Sequence, residues 1–334
     1  MDYDVVGLGN PLMDALTVVD DDHAVIRDLG LTRGTMCLVD APEWQQAYER
    51  VRRNRVTLDA GGSCANTLAT VGRLGGRALF CGQVGDDQMG HAYAAQLAEA
   101  NGGHALHFSR DLATGKCLSI ISPVDAERTM MTHLGAAIRL AALPEAFRTA
   151  LTRARIAHFT GYELLDDVMS ARVFEAGISA ADAGAIVSFD AADPFVVSAA
   201  RDRMWEFLRR TTSVLFLNAD EARGLVGEDP HDAVLRIADT LKPKVVVVKM
   251  GSKGSLVWSA GEVHHITAER VAAVDTTGAG DSYAAGFLFG LARDWPVLHC
   301  AALGNAVAAL TVAQVGATFK DRQALAERAR SSAP

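Results

Sequence analysis

Six short, almost wholly apolar runs punctuate the chain, at residues 4–9, 78–81, 156–159, 185–189, 214–217 and 245–250. Runs of this length without alternation predict strands buried on both faces, and Val245-Val246-Val247-Val248 is the plainest of them. Between the runs, apolar residues recur at helical spacing over 65–74, 90–99, 169–181, 199–209 and 231–240. Strand alternating with helix predicts an α/β chain whose central, mainly parallel sheet carries helices on both faces. Two stretches break this rhythm. Residues 16–20 and 35–39 are alternating or β-branched and follow one another without a helical crossover pattern. Residues 115–122 and 128–134, around a proline-led turn at Pro123-Val124-Asp125-Ala126, read as a hairpin. These pieces predict a second, small sheet. The large domain is then expected from residues 1–13, 61–111 and 136–334, and the small one from 14–60 and 112–135. Residues 331–334 are expected to fray.

Composition narrows the picture little. The 334 residues are 49% hydrophobic and 22% charged, ordinary for a globular protein, and the net charge is −8. The one short basic run, Arg52-Arg53-Asn54-Arg55, reads as a solvated helix end, so a nucleic-acid partner is disfavoured. Five cysteines, Cys37, Cys64, Cys81, Cys117 and Cys300, are odd in number and widely spaced. They read as free thiols of a reducing cytoplasm. No apolar run approaches the roughly 20 residues that span a bilayer, so no membrane partner is expected. His264-His265 reads as surface rather than as a metal site, because no third ligand stands at a useful spacing.

The sharpest chemical signal is Asp275-Thr276-Thr277-Gly278-Ala279-Gly280-Asp281-Ser282, followed by a helical pattern over 283–293. Small residues at 278–280 allow a tight turn and leave amide N–H groups open at a helix N-terminus. Unsatisfied donors and the positive end of the helix dipole together make an anion site. An acid in the first turn is also an ordinary helix-start preference, but that does not explain two aspartates bracketing a glycine-rich turn. Asp281 beside such a cradle is placed to take a proton from an attacking hydroxyl, and phosphoryl transfer needs little more than positioning and charge neutralisation.

The run Asp275–Asp281 resembles the second signature of the ribokinase superfamily, the phosphofructokinase-B family of carbohydrate and nucleoside kinases. The resemblance implies a ribokinase-like fold with a β-sheet lid, ATP and Mg²⁺ as cofactors, Asp281 as base and an anion hole at Gly278, Ala279 and Gly280. Gly61-Gly62-Ser63-Cys64-Ala65-Asn66, followed by Arg73-Leu74-Gly75-Gly76, resembles the first signature. It implies a lid hinge at the diglycine and substrate contacts from Gly61, Gly62, Ser63 and Asn66. Gly82-Gln83-Val84-Gly85-Asp86-Asp87 resembles a structural loop after the second main strand. Gly9-Asn10-Pro11-Leu12-Met13-Asp14 is similar to the adenosine kinase branch, implying that Asp14 binds two sugar hydroxyls with Asn10 in support. By the same resemblance Arg128 is a basic lid residue near the transferred phosphate. Asn218 and Glu221 form an N-x-x-E element, with Glu221 reaching Mg²⁺ through water. Lys249, Gly251 and Gly254 belong to a nucleotide-side glycine loop, and Asn305 to a helix beside the adenine of ATP. Asp275, Thr277, Thr311 and Gly316 fall where ribokinases bind a monovalent cation such as K⁺.

Within that family, Gly161-Tyr162-Glu163 resembles a segment whose aromatic residue stacks on a nucleoside base, so Tyr162 is a candidate base contact. Gly316-Ala317-Thr318-Phe319 also fits the adenosine kinase branch. Two features depart from it: Ala65 stands where adenosine kinases tend to have glutamine, and Thr132 and His133 stand in a lid stretch that is more apolar there. The reading is a kinase of an adenosine-like nucleoside at its 5′-hydroxyl, monomer or homodimer. A sugar kinase for ribose, fructose or a related carbohydrate is the alternative, and a catalytically silent binding protein is a remote third.

Overall fold

A computed structural model describes residues 1–124 and 127–334. The apolar runs become the middle of a nine-stranded sheet: β1 (Tyr3–Leu8), β5 (Ala78–Gly85), β6 (Ala105–Ser109), β9 (Ala154–Thr160), β10 (Ile186–Asp190), β11 (Val214–Asn218), β12 (Val245–Lys249), β13 (Ser255–Ser259) and β14 (Glu262–Ile266). Their order is β14-β13-β12-β11-β10-β9-β1-β5-β6. All neighbours pair in parallel except β12–β13 and β13–β14, which are antiparallel. Alternate residues of one strand feed two different cores: Val6 and Leu8 face one layer, Val5 the other. That is why these strands are apolar throughout. Gly82–Gly85, read from the sequence as a loop, instead completes β5, and all eight of its residues are buried.

Helices cover both faces. α5 (Glu145–Leu151), α6 (Asp167–Asp182), α7 (Pro194–Ala199), α8 (Arg201–Thr211), α9 (Ala219–Val226) and α10 (Pro230–Leu241) close one layer. Its centre is Phe207, whose ring meets Phe159, Phe174 and Phe189 at centroid distances of 5.7, 5.4 and 5.2 Å. Burying one such side chain contributes about 1.5–3 kcal/mol. The pattern read as a helix over 199–209 is α8, offset by two residues, and α7, which was not read, precedes it, the two meeting at Ala200. On the opposite layer lie α3 (Ser63–Arg73), α4 (Gln88–Asn101), α11 (Ala279–Leu291) and α12 (Val297–Val312), with α13 (Arg322–Ser332) packed on α12.

The small sheet has five strands: β2 (Leu12–Val18), β3 (Met36–Leu38), β4 (Val56–Gly61), β7 (Lys116–Ile121) and β8 (Arg128–His133), in the order β3-β8-β7-β2-β4. β7 and β8 pair antiparallel as the expected hairpin; of its turn, Asp125 and Ala126 lie outside the described residues. α1 (Asp22–Asp28), not read from the sequence, and α2 (Ala41–Val51), of which only the end at the basic run was read, sit between β2 and β4. They cover one face, where Trp44 and Ala47 pack with Ala15, Leu118 and Met131. No helix among the described residues is long and apolar enough to cross a membrane.

Candidate active site

Five parallel strands end on one edge of the main sheet and place Asn10, Tyr162, Glu163, Asp190, Asn218 and Lys249 there in or just after their last residues. In open α/β sheets this is the edge where ligands bind. Two helix N-termini point at it. α11 begins after Gly278, whose φ of 71° is left-handed, and a Cβ there would stand 2.0 Å from the Ala317 carbonyl oxygen. Only glycine fits, and it sets a turn in which the Ala279 amide donates to the Thr276 carbonyl at 3.2 Å. α3 begins after Gly62, with φ 100°.

Asp281, in the first turn of α11, is the point where the two helices meet. Its Oδ1 accepts from Ser63 Oγ at 2.6 Å and its Oδ2 from Asn66 Nδ2 at 3.0 Å, while Thr67 Oγ1 donates to its backbone carbonyl at 3.2 Å. Ser63 and Asn66, expected to meet substrate, thus hold the carboxylate of Asp281. Burial pushes the Asp281 carboxyl up to about 6, partly opposed by those two hydrogen bonds. Asn66 Oδ1 and Asn10 Oδ1 are buried without a partner, two acceptors free for an incoming donor.

Asp14 lies across the gap on β2. Gly61 is glycine because a Cβ there would meet Asp14 Oδ2 at 2.2 Å. Burial raises the Asp14 carboxyl to about 7; Arg128 opposes the rise, and Asp59 and Asp281 add to it. The strand register puts Asp59, Asp14, Cys117, Thr132 and Leu38 in one row across the sheet, and Thr57, Leu16, Ser119, Met130 and Met36 in the next. These rows alternate with the residues buried under α2, so they occupy the face turned to the main domain. On that face Leu38 is 62% and Met36 49% exposed. Tyr162, 36% exposed, stands on the main-sheet side.

Arg128, on the same face of β8, ion-pairs with Asp275, and both side chains are nearly buried. Asp275 Oδ1 also accepts from the Thr277 amide at 3.0 Å, and Oδ2 from the Gly316 amide at 2.8 Å. Arg128 is thereby anchored beside the glycine-rich turn. Of the residues expected at a monovalent cation, Asp275, Thr277 and Gly316 come together. Thr311 does not turn its hydroxyl to them: it meets Ser282 Oγ at 2.8 Å and donates to the Val307 carbonyl at 3.2 Å. Arg128 matches the charge of Asp275.

Glu221 and Asn218 form a reciprocal cap on α9: Asn218 Oδ1 accepts from the Glu221 amide at 2.8 Å, and Glu221 Oε2 from the Asn218 amide at 2.7 Å. Burial holds the Glu221 carboxyl above the usual range, and Lys249 opposes this. Lys249 Nζ donates to Asp190 Oδ2 at 2.6 Å. No cluster of three His, Cys, Asp or Glu side chains among the described residues could cage a metal. Glu221, with Asp190 and Lys249 near enough to act on its charge, is an acid of the kind on which a Mg²⁺ that keeps most of its waters would lean beside substrate phosphates. Gly251 (φ 58°) and Gly254 (φ 87°) form the turn after β12. Asn305, on α12, spends its amide on the carbonyls of Ile266 and Thr267, both at 3.2 Å.

Two residues at this edge were not read from the sequence. Asp190, the polar end of the run Ile186–Asp190, is buried and holds Lys249. Glu163 is buried, accepts from the Asn10 amide at 3.1 Å and from Thr160 Oγ1 at 2.7 Å, and its carboxyl is pushed by burial to about 7. A lone acid closing an apolar strand was the signal for the first; the second stood unremarked inside the Tyr162 segment.

The profile described as pfkB family carbohydrate kinase matches residues 34–324. An adenosine kinase structure from Sinorhizobium meliloti is 30% identical, with a TM-score of 0.85 and all of both chains covered. A probable sugar kinase from Rhizobium etli CFN 42 is 27% identical, with a TM-score of 0.86, covering 99% of this chain and 98% of that one. In sequence, probable fructokinase-6, chloroplastic, of Arabidopsis thaliana is 29% identical over 86% of this chain and 75% of its own length.

Proposed function

Because the chain belongs to the pfkB family of carbohydrate kinases, we propose that it is an ATP-dependent kinase that phosphorylates a ribonucleoside, adenosine first, at the 5′-hydroxyl. ATP-dependent transfer to the hydroxyl of a sugar or nucleoside is the coarser statement that its relatives support. The observation that carries the finer one is the row on the small sheet. Asp14 accepts from two vicinal ribose hydroxyls, and three strands away on the same face the exposed Leu38 and Met36 offer an apolar surface that a bare hexose does not need. A planar base between that face and Tyr162 would bury the apolar surface and leave the ribose on Asp14.

In this reading the 5′-hydroxyl gives its proton to Asp281, whose carboxylate is aimed by Ser63 and Asn66. The amides of Gly278, Ala279 and Gly280 donate to the phosphoryl oxygens, that of Ala279 turning from the Thr276 carbonyl, with Arg128 beside them. Mg²⁺, when bound, neutralises charge on the phosphate oxygens. Steady-state kinetics on adenosine, 2′-deoxyadenosine, ribose and fructose test the assignment. Loss of one hydroxyl that Asp14 accepts should lower kcat/KM steeply, by ~10²-fold or more, since it leaves a buried acceptor unpaired. Fructose or ribose turning over with a higher kcat/KM than any nucleoside would support the sugar-kinase reading that the Arabidopsis relative favours, with Thr132 as a polar contact.

A further inference from the structure

Lys249 closes β12, and its ammonium does not lie out along the glycine loop that follows. A Cβ built on Gly280 would stand 3.0 Å from Lys249 Nζ, so the ammonium rests against the backbone of the glycine-rich turn itself. Its hydrogen bond to Asp190 Oδ2 is 2.6 Å long, and the two side chains are 15% and 4% exposed. An ammonium has three N–H donors, and Asp190 takes one. A nearly buried ion pair of this kind is a poor source of stability, because desolvation offsets most of its attraction. Its position at the open edge of the sheet, between Glu221 and Asp281, points to a task instead.

We propose that Lys249 is a catalytic residue that donates from its ammonium to the phosphoryl group in transfer, and that Asp190 is the positioning residue that aims it. The proposal rests on the reading of Gly278–Gly280 as the phosphoryl cradle. In the step itself, the acceptor oxygen bonds to the γ-phosphorus as the bond from that phosphorus to the bridging oxygen of ADP breaks. The hydroxyl proton passes to Asp281, and the electron pair of the broken bond leaves with ADP. Lys249 keeps its proton and meets the negative charge on a non-bridging oxygen, supplying a side-chain donor next to the backbone amides. Glycine at 280 is then required less by the turn than by the ammonium, which any side chain there would displace.

The test is steady-state kinetics of the full chain with adenosine and MgATP, for wild type, K249M, D190N, G280A, D281N and the double variant K249M/D190N. K249M should lower kcat by ~10²–10³-fold, the scale for removing one such donor, with the KM for adenosine within about threefold. K249M alone leaves a carboxylate buried without its partner, so the double variant, which removes both charges, is the one read for folding by thermal melt. It should melt cooperatively near wild type and show the same loss of kcat. G280A should lower kcat in the same sense with the fold intact. D190N should shift the alkaline limb of the kcat profile to lower pH, because the lysine loses the neighbour that favours its charge; a merely structural bond would leave that limb in place. A folded double variant with kcat within threefold of wild type, or a loss confined to the KM for ATP, would overturn the proposal. If D281N is dead while K249M is active, only the lysine assignment fails. If D281N keeps its turnover, the reading of the cradle fails with it.

Discussion

Asp14 and Asp281 stand on opposite walls of the gap, and the charge of Asp281 adds to the rise of the Asp14 carboxyl. In the proposed mechanism both are ionised, one to accept from hydroxyls and one to accept a proton. Activity should therefore fall on the acid side: kcat/KM drops as pH falls through the window from about 7 to about 6 set by the two groups. Asp281→Asn keeps the shape and can still cap α11 but cannot take the proton. Its kcat should fall by ~10²–10⁴-fold with the melting temperature little changed; near-normal turnover would remove Asp281 from the mechanism. For stability the sign is reversed. The Asp14 carboxyl moves from an ordinary 3.8 to about 7 on folding, so the native state binds the proton more tightly than the unfolded chain. That contribution is full below about 3.8 and is lost as pH rises through 7. Asp14→Asn should consequently melt higher than wild type at pH 8, with the difference narrowing toward pH 4, while binding of the acceptor collapses. Calorimetry at the two pH values checks it, and a variant less stable than wild type at pH 8 would contradict it.

Among the elements, the turn from β4 into α3 is tightly constrained. Gly62 holds φ 100°, and a Cβ there would stand 2.4 Å from the Asn10 carbonyl oxygen. Gly62→Ala should cost about 1–3 kcal/mol in denaturant unfolding, from backbone strain alone. It should also raise the KM for the acceptor, because the displaced Asn10 segment leads into β2 and Asp14. An unchanged midpoint and KM would count against the tight junction described here. This turn was legible in the sequence because a diglycine before a helical pattern is a local signal, and so were the six central strands, whose two buried faces erase alternation. Strands at the margins were not. β13 and β14 form an antiparallel edge with exposed polar positions, β6 is a half-buried edge, and β4 is mixed in burial, so none has the wholly apolar run that marks a central strand. The helix α1 and the start of α2 escaped for a different reason: they cover a satellite core of their own, and α1 is only seven residues long. At the site, Asp281 and the glycines announce themselves in one contiguous run. Asp190 and Glu163 act through residues far away in sequence, Lys249 and Asn10, and only the fold brings those pairs together.

Over the whole molecule, the small sheet is tied to the main domain by two ion pairs on either side of the site, Arg128 with Asp275 and Lys320 with Asp59. Between them lie the Asp14 row on one wall and the carboxyl ends of the main strands on the other. In the proposed reading the acceptor lies under the small sheet and the phosphoryl donor over the N-terminus of α11, with Asp281 between, and closure of the small sheet over them would exclude water, the competing acceptor. The outcome is best read from the product. Phosphorus NMR of the purified chain with adenosine and MgATP should show ADP and a monoester coupled to the two 5′-methylene protons, in equal amounts and with little inorganic phosphate. A phosphoryl group found only on an added pentose or hexose, or only as inorganic phosphate, would contradict the assignment of a nucleoside 5′-hydroxyl as the acceptor.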